Sequence, residues 1–151
     1  MDNRIASNRW LIAGGVLTAA AALLHLAVIA GGPDWYRFFG AGEEMARMAE
    51  QGSPRPAIVT LGIAAILATW SAYAFAGAGL IRRLPLMRTA LVAIATIYLL
   101  RGLILAPLAL FRPAAIDAFT LWSSLIVLGY GIAYAVGTWR AWPILSAART
   151  R

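Results

Sequence analysis

The sequence predicts an all-α integral membrane protein: a four-helix bundle with a short amphipathic helix in the external loop between spans one and two. Three observations carry this. Sixty-two per cent of the 151 residues are hydrophobic and mean hydropathy is +0.76, whereas globular domains are about half apolar. A chain this short cannot hide that much apolar surface in a water-soluble core. Four apolar runs are each long enough to cross a hydrocarbon layer of about 30 Å. Charged residues fall between those runs, with one exception, Arg101. The chain is expected to form a single transmembrane domain over 1–151.

The first span is placed at 10–30. Arg4 and Arg9 before an apolar run also describe a signal peptide, but the run exceeds the usual h-region of about 7–15 residues, so the span reading is kept. Gly31-Gly32-Pro33-Asp34 then breaks the helix. Trp35, Tyr36, Phe38 and Phe39 follow as an aromatic cluster suited to the headgroup level. A short amphipathic helix is placed at about 40–51. Ala41, Met45 and Met48 share its apolar face, and Glu43, Glu44 and Glu50 stand three or four residues from Arg47 for pairing along the polar face. Gly52-Ser53-Pro54 ends it. It lies flat on the membrane as an interfacial helix. The sharper alternative makes it a lid that offers Glu43 and Glu44 to the bundle.

The second span is placed at 57–81, with Ala64, Ala68, Ala72 and Ala76 as a small-residue seam. A basic turn with Arg82, Arg83 and Arg88 leads to the third span at 89–111, where Pro107 predicts a kink. The fourth span is placed at 118–139, with a seam of Gly129, Ala133 and Gly137. A basic tail with a break at Pro143 follows.

Arginine distribution predicts orientation. Arg4, Arg9, Arg82, Arg83, Arg88, Arg140, Arg149 and Arg151 lie on one side, and Arg37, Arg47, Arg55 and Arg112 on the other. The positive-inside rule then puts both termini in the cytoplasm. Of the acids, Asp2 alone falls inside. Basic residues that are all arginine, in an alanine-rich chain, are what a GC-rich bacterial genome writes. The expected location is therefore the bacterial cytoplasmic (inner) membrane, as a multi-pass protein.

Counting about 1.5 Å per residue from the flanking arginines puts Thr18, Tyr73, Tyr98 and Tyr130 at one depth, about 14–15 Å. Trp70 and Arg101 lie slightly farther out, and His25 and Ser124 beyond them, near 24 Å. Tyr98 shares a face with Arg101, and Trp70 with Tyr73. The candidate ligand-binding residues are therefore Arg101, Tyr98, His25, Trp70, Tyr73 and Tyr130. A charge at mid-span costs about 2.5–3.5 kcal/mol on insertion scales, so Arg101 demands a partner. No acid lies in any span to provide one. Its side chain is expected to lean toward the N-terminal end of its helix, down to the tyrosine layer.

Composition excludes several chemistries. There is no cysteine and one histidine, so thiolate sites, disulfides and histidine clusters are ruled out within one chain. Absence of lysine rules out Schiff-base catalysis. No metal-ligand spacing, phosphate loop or dinucleotide fingerprint is present. The residues imply no cofactor and assign no catalytic group. Arginines that flank spans argue against nucleic acid as a partner.

The function expected is that of a small polytopic membrane protein holding an amphipathic or anionic small molecule in an intramembrane cavity, for transport or sensing. Two alternatives stand beside it. One is a structural or accessory subunit of a membrane complex or homo-oligomer, and the other is a membrane enzyme acting on a lipid-like substrate. An Arg101 beside open volume inside the bundle favours the ligand reading. An Arg101 directed outward at mid-depth favours the subunit reading.

Overall fold

The computed structural model describes residues 8–147. Asp2, Arg4, Arg149 and Arg151, which enter the orientation count, lie outside the described residues. Among the described residues all regular structure is helical. The order is α1 (Arg9–Gly31), α2 (Pro33–Phe38), α3 (Glu43–Glu50), α4 (Arg55–Gly77), α5 (Met87–Leu103), α6 (Leu105–Phe111), a single 3-10 turn (Pro113–Ala115) and α7 (Ala118–Ala147). Four stretches are long and apolar enough to span a membrane: α1, α4, α5 continued by α6, and α7. At 1.5 Å per residue the shortest is about 35 Å long, more than the hydrocarbon thickness. The protein is an all-α, multi-pass membrane protein of the four-helix-bundle class.

The helix ends differ from expectation for identifiable reasons. The second span stops at Gly77, not residue 81. The Leu80 amide donates to the Phe75 carbonyl and the Gly79 amide to the Ala76 carbonyl. This is a Schellman closure, and it requires the left-handed backbone that Gly79 adopts at φ +79°. The third span is interrupted at Ile104, three residues before Pro107. Pro107 lacks the N–H that would bond the Leu103 carbonyl, and its ring crowds that carbonyl. The interruption is slight, because Ile104 keeps helical angles of φ −57° and ψ −23°. The fourth span passes through Pro143 to Ala147, so the expected break there is corrected. It starts on a side-chain cap, with the Thr120 amide donating to Asp117 Oδ1 at 2.7 Å.

The chain divides into two compact units. One comprises the described residues up to Leu17 together with Trp70 onward, and contains part of every span. Its tightest contact joins α5 and α7. A Cβ on Gly102 would fall 2.6 Å from Leu128 Cα, and a Cβ on Gly131 2.8 Å from the Leu99 amide nitrogen. The two backbones can approach this closely because neither glycine has a side chain. Leu11 of α1 is fully buried and lies where side chains on Gly77 and Gly137 would clash. Ser71 donates to the Gly15 carbonyl at 2.8 Å, adding a buried bond between α4 and α1. The expected seams need correction. Gly129 is exposed with open space around it, and Gly131 takes its place in the contact. On α4, Ala64 and Ala76 are buried while Ala68 is exposed. A four-residue repeat drifts about 40° per step on a helix of 3.6 residues per turn, so such a run does not hold one face.

The second unit, Thr18–Thr69, carries the loop between the first and second spans. Val28 of α1, Tyr36 of α2 and Ala46 of α3 form its core, with Phe39, Met45 and Ala49 packed against them. Thus α2 is a helix where the sequence pattern predicts only a loop, and the buried face of α3 is Met45, Ala46 and Ala49, not Ala41, Met45 and Met48. Ala41 precedes α3 altogether. Pro33 at the first helical position and Asp34 in the first turn are the start signals of α2. The polar face is organised by Arg37, not Arg47. Arg37 takes both oxygens of Glu43 at 2.9 and 3.0 Å, Glu50 at 2.7 Å and Asp34 at 3.4 Å. These bonds hold the Glu43 carboxyl below the usual carboxylate range. They also raise the Arg37 pKa.

Candidate functional site

Three of the candidate residues come together in one aromatic cluster. The Tyr98 ring lies 5.1 Å from Trp70, 5.5 Å from Tyr130 and 5.5 Å from Tyr134, measured between centroids. The contacts with Trp70 and Tyr130 are edge-to-face, which aromatic quadrupoles favour. Tyr134 is fully buried, and its hydroxyl donates to the Trp70 carbonyl at 3.1 Å. Trp70 and Tyr98 of the cluster therefore meet a residue outside the common depth, because Tyr134 lies a turn closer to the flanking Arg140 than Tyr130. Tyr73 is not part of the cluster. Its hydroxyl donates to the Pro85 carbonyl at 3.1 Å, in the turn between α4 and α5.

Three further candidates lie in the second unit. His25 Nδ1 lies 2.7 Å from the Ala21 carbonyl of the same helix. That is a hydrogen bond from an Nδ1–H, and it directs the other ring nitrogen away from the backbone. Glu43 is held by Arg37, as above, and Glu44 is exposed.

Arg101 behaves differently from expectation. Gly102 meets Leu128 and Gly131 meets Leu99, so in this antiparallel pair Arg101 stands level with residue 129. Its guanidinium bonds neither there nor at the tyrosines. Nη1 donates to Ser124 Oγ at 2.9 Å and Nη2 reaches Ser123 Oγ at 3.5 Å. Ser124 is five residues closer to the start of α7, about 7.5 Å along the axis. The side chain therefore runs toward the C-terminal end of α5, opposite to the expected lean. The Ser124 hydroxyl, itself fully buried, is the acceptor within reach.

Arg101 is also exposed. Ile97 and Ile104, one turn either side on the same stripe, are exposed apolar residues, as are the adjacent Leu100 (65 %) and Trp122 of α7 (64 %). A guanidinium has five N–H donors, and among the described residues its partners are two serine hydroxyls and no carboxylate. Interhelical bonds of this kind average about 0.6 kcal/mol each, so two of them offset less than half of the roughly 2.5–3.5 kcal/mol that a mid-span charge costs.

Comparisons with protein-family models, curated proteins and solved structures return no match for this chain. Its chemistry must be read from its own residues. Among the described residues no group of three or more histidine, cysteine, aspartate or glutamate side chains could hold a metal ion. The aromatic cluster offers packing and few free polar atoms. Arg101 offers a fixed positive charge on an apolar surface, which suits recognition of an anion.

Proposed function

We propose that this chain is a membrane-embedded subunit that docks onto a second membrane protein through Arg101. The observation that supports this reading is an exposed guanidinium at mid-span, satisfied only in part by Ser123 and Ser124 and surrounded by exposed Ile97, Leu100 and Ile104. Low dielectric strengthens any opposite charge brought beside it and penalises its isolation. The partner of matching chemistry is a transmembrane helix with an aspartate or glutamate at that depth. A second copy of this chain does not fit, because its acids all fall outside the four spans.

The test places a photo-cross-linking residue at Leu100 in native membranes and compares the wild type with Arg101→Leu. The expected result is one membrane-protein adduct whose cross-linked peptide contains an acid within an apolar run, lost in Arg101→Leu while the fold is retained. Adducts with lipid alone, with a second copy of this chain, or unchanged by Arg101→Leu would overturn the reading.

A further inference from the structure

Away from Arg101, at the end of the first unit formed by the start of α1, the end of α4 and the end of α7, lies a cavity of ≈ 720 Å³. That volume falls within the range of small-molecule sites, about 300–1,000 Å³. Arg9, Arg83 and Arg140 line it together with Asn8 and Trp10, over walls that include Ile144 and Leu145. Among the described residues no carboxylate lines it. Three cations therefore share one concavity, and no described residue supplies them a counter-ion there.

The surrounding contacts hold this arrangement. Arg83 Nη2 donates to the Ile144 carbonyl at 3.1 Å, tying the turn after α4 to the end of α7. The Arg140 guanidinium lies 5.8 Å from the centroid of the Trp10 ring, within cation–π range. Asn8 Nδ2 donates to the Gly137 carbonyl at 2.6 Å, fixing the start of α1 against α7. Two helices end here, and helix C-termini carry partial negative charge. The start of α1 carries the opposite sign, so one helix end favours an anion and two oppose it, and the arginines supply the main attraction.

We propose that this cavity binds the phosphate headgroup of an anionic amphiphile, with Arg9, Arg83 and Arg140 as the cationic contacts and the Ile144–Leu145 wall against its apolar part. Guanidinium forks match phosphate oxygens in geometry and charge. Basic pockets between spans at the membrane surface suit such headgroups. Trp10 has the amphipathic ring that settles at this level. The site is independent of Arg101 and of any protein partner.

The test measures lipid retention by native mass spectrometry after exchange into phosphatidylglycerol or phosphatidylcholine, with glycerol phosphate as the soluble headgroup alone. The variants are Arg83→Gln and Arg140→Gln. Arg88→Gln is the control, since Arg88 sits at the same end but stacks 4.1 Å over Trp142 and does not line the cavity. The expected result is selective retention of phosphatidylglycerol, reduced about fivefold by each cavity variant and unchanged in the control. Equal retention of both lipids, or equal loss in Arg88→Gln, would overturn the site. Glycerol phosphate binding as tightly as the lipid would overturn the amphiphile assignment. Thermal unfolding of each variant separates lost binding from lost fold. Arg83→Lys, which keeps the charge, should retain most of the binding if the variants act through the site.

Discussion

Gly102→Ala is the most informative test of how the bundle is held together. The added Cβ would fall 2.6 Å from Leu128 Cα. An ordinary carbon–carbon contact lies near 3.5–4.0 Å, so α5 and α7 must separate locally by about 1 Å. A gap of that size forfeits a quarter to a half of each contact's attraction along the interface. Overpacking of this kind costs about 1–3 kcal/mol. The same substitution at Gly129, where nothing lies within 4 Å, supplies the control, because both variants share the gain in helix propensity of up to about 1 kcal/mol. The difference between them isolates the contact. Reversible unfolding in detergent, followed by far-UV circular dichroism, gives both values. If Gly102→Ala were as stable as Gly129→Ala, the close approach of α5 and α7 would be refuted.

Three further outcomes are expected. Tyr134→Phe keeps the ring against Tyr98 but loses the bond to the Trp70 carbonyl, and should lower unfolding stability by roughly 0.6 kcal/mol, whereas Tyr134→Ala should cost about 3–5 kcal/mol. The Glu43 carboxyl is held below its ordinary value by Arg37, so its contribution to the α2–α3 hairpin is complete above the unfolded glutamate value near 4.3 and is lost as pH falls through the lower folded value. Trp35 fluorescence should report that loosening in acid, and Arg37→Gln should remove the transition. Arg101→Leu should improve membrane insertion of the third span by about 3 kcal/mol in a translocation assay, since the isolated chain carries the charge at a net cost.

The spans were legible because length and apolarity suffice to define them. Their ends were less so. Gly79 stops α4 by a backbone closure that apolar counting does not see, since Leu80 and Ile81 beyond it are as apolar as the span itself. Pro33 reads as a breaker after Gly31-Gly32, although the same residue is a favourable first position for α2. Depth counting brought Trp70, Tyr98 and Tyr130 to similar heights, because height depends only on rise per residue. Whether a side chain turns inward depends on rotation and on neighbours, which is why Tyr73 reaches Pro85 instead. Spacing along one helix does not single out Arg37, because its carboxylates come from both sides of a turn. Arg101 was identifiable from sequence as the residue to explain. Its direction was not, because the Ser123–Ser124 hydroxyls outweigh the ordinary lean of a helical side chain.

Under the proposed docking, Arg101 recognises a carboxylate in a partner's membrane span. Charge exchange tests it most directly. Once the cross-linked helix is known, Arg101→Asp is combined with replacement of that helix's acid by arginine, and the amount of complex recovered from native membranes is measured. Loss is expected with either change alone and recovery with both together. Failure of the double exchange to recover the complex, with both chains inserted and folded, would contradict it.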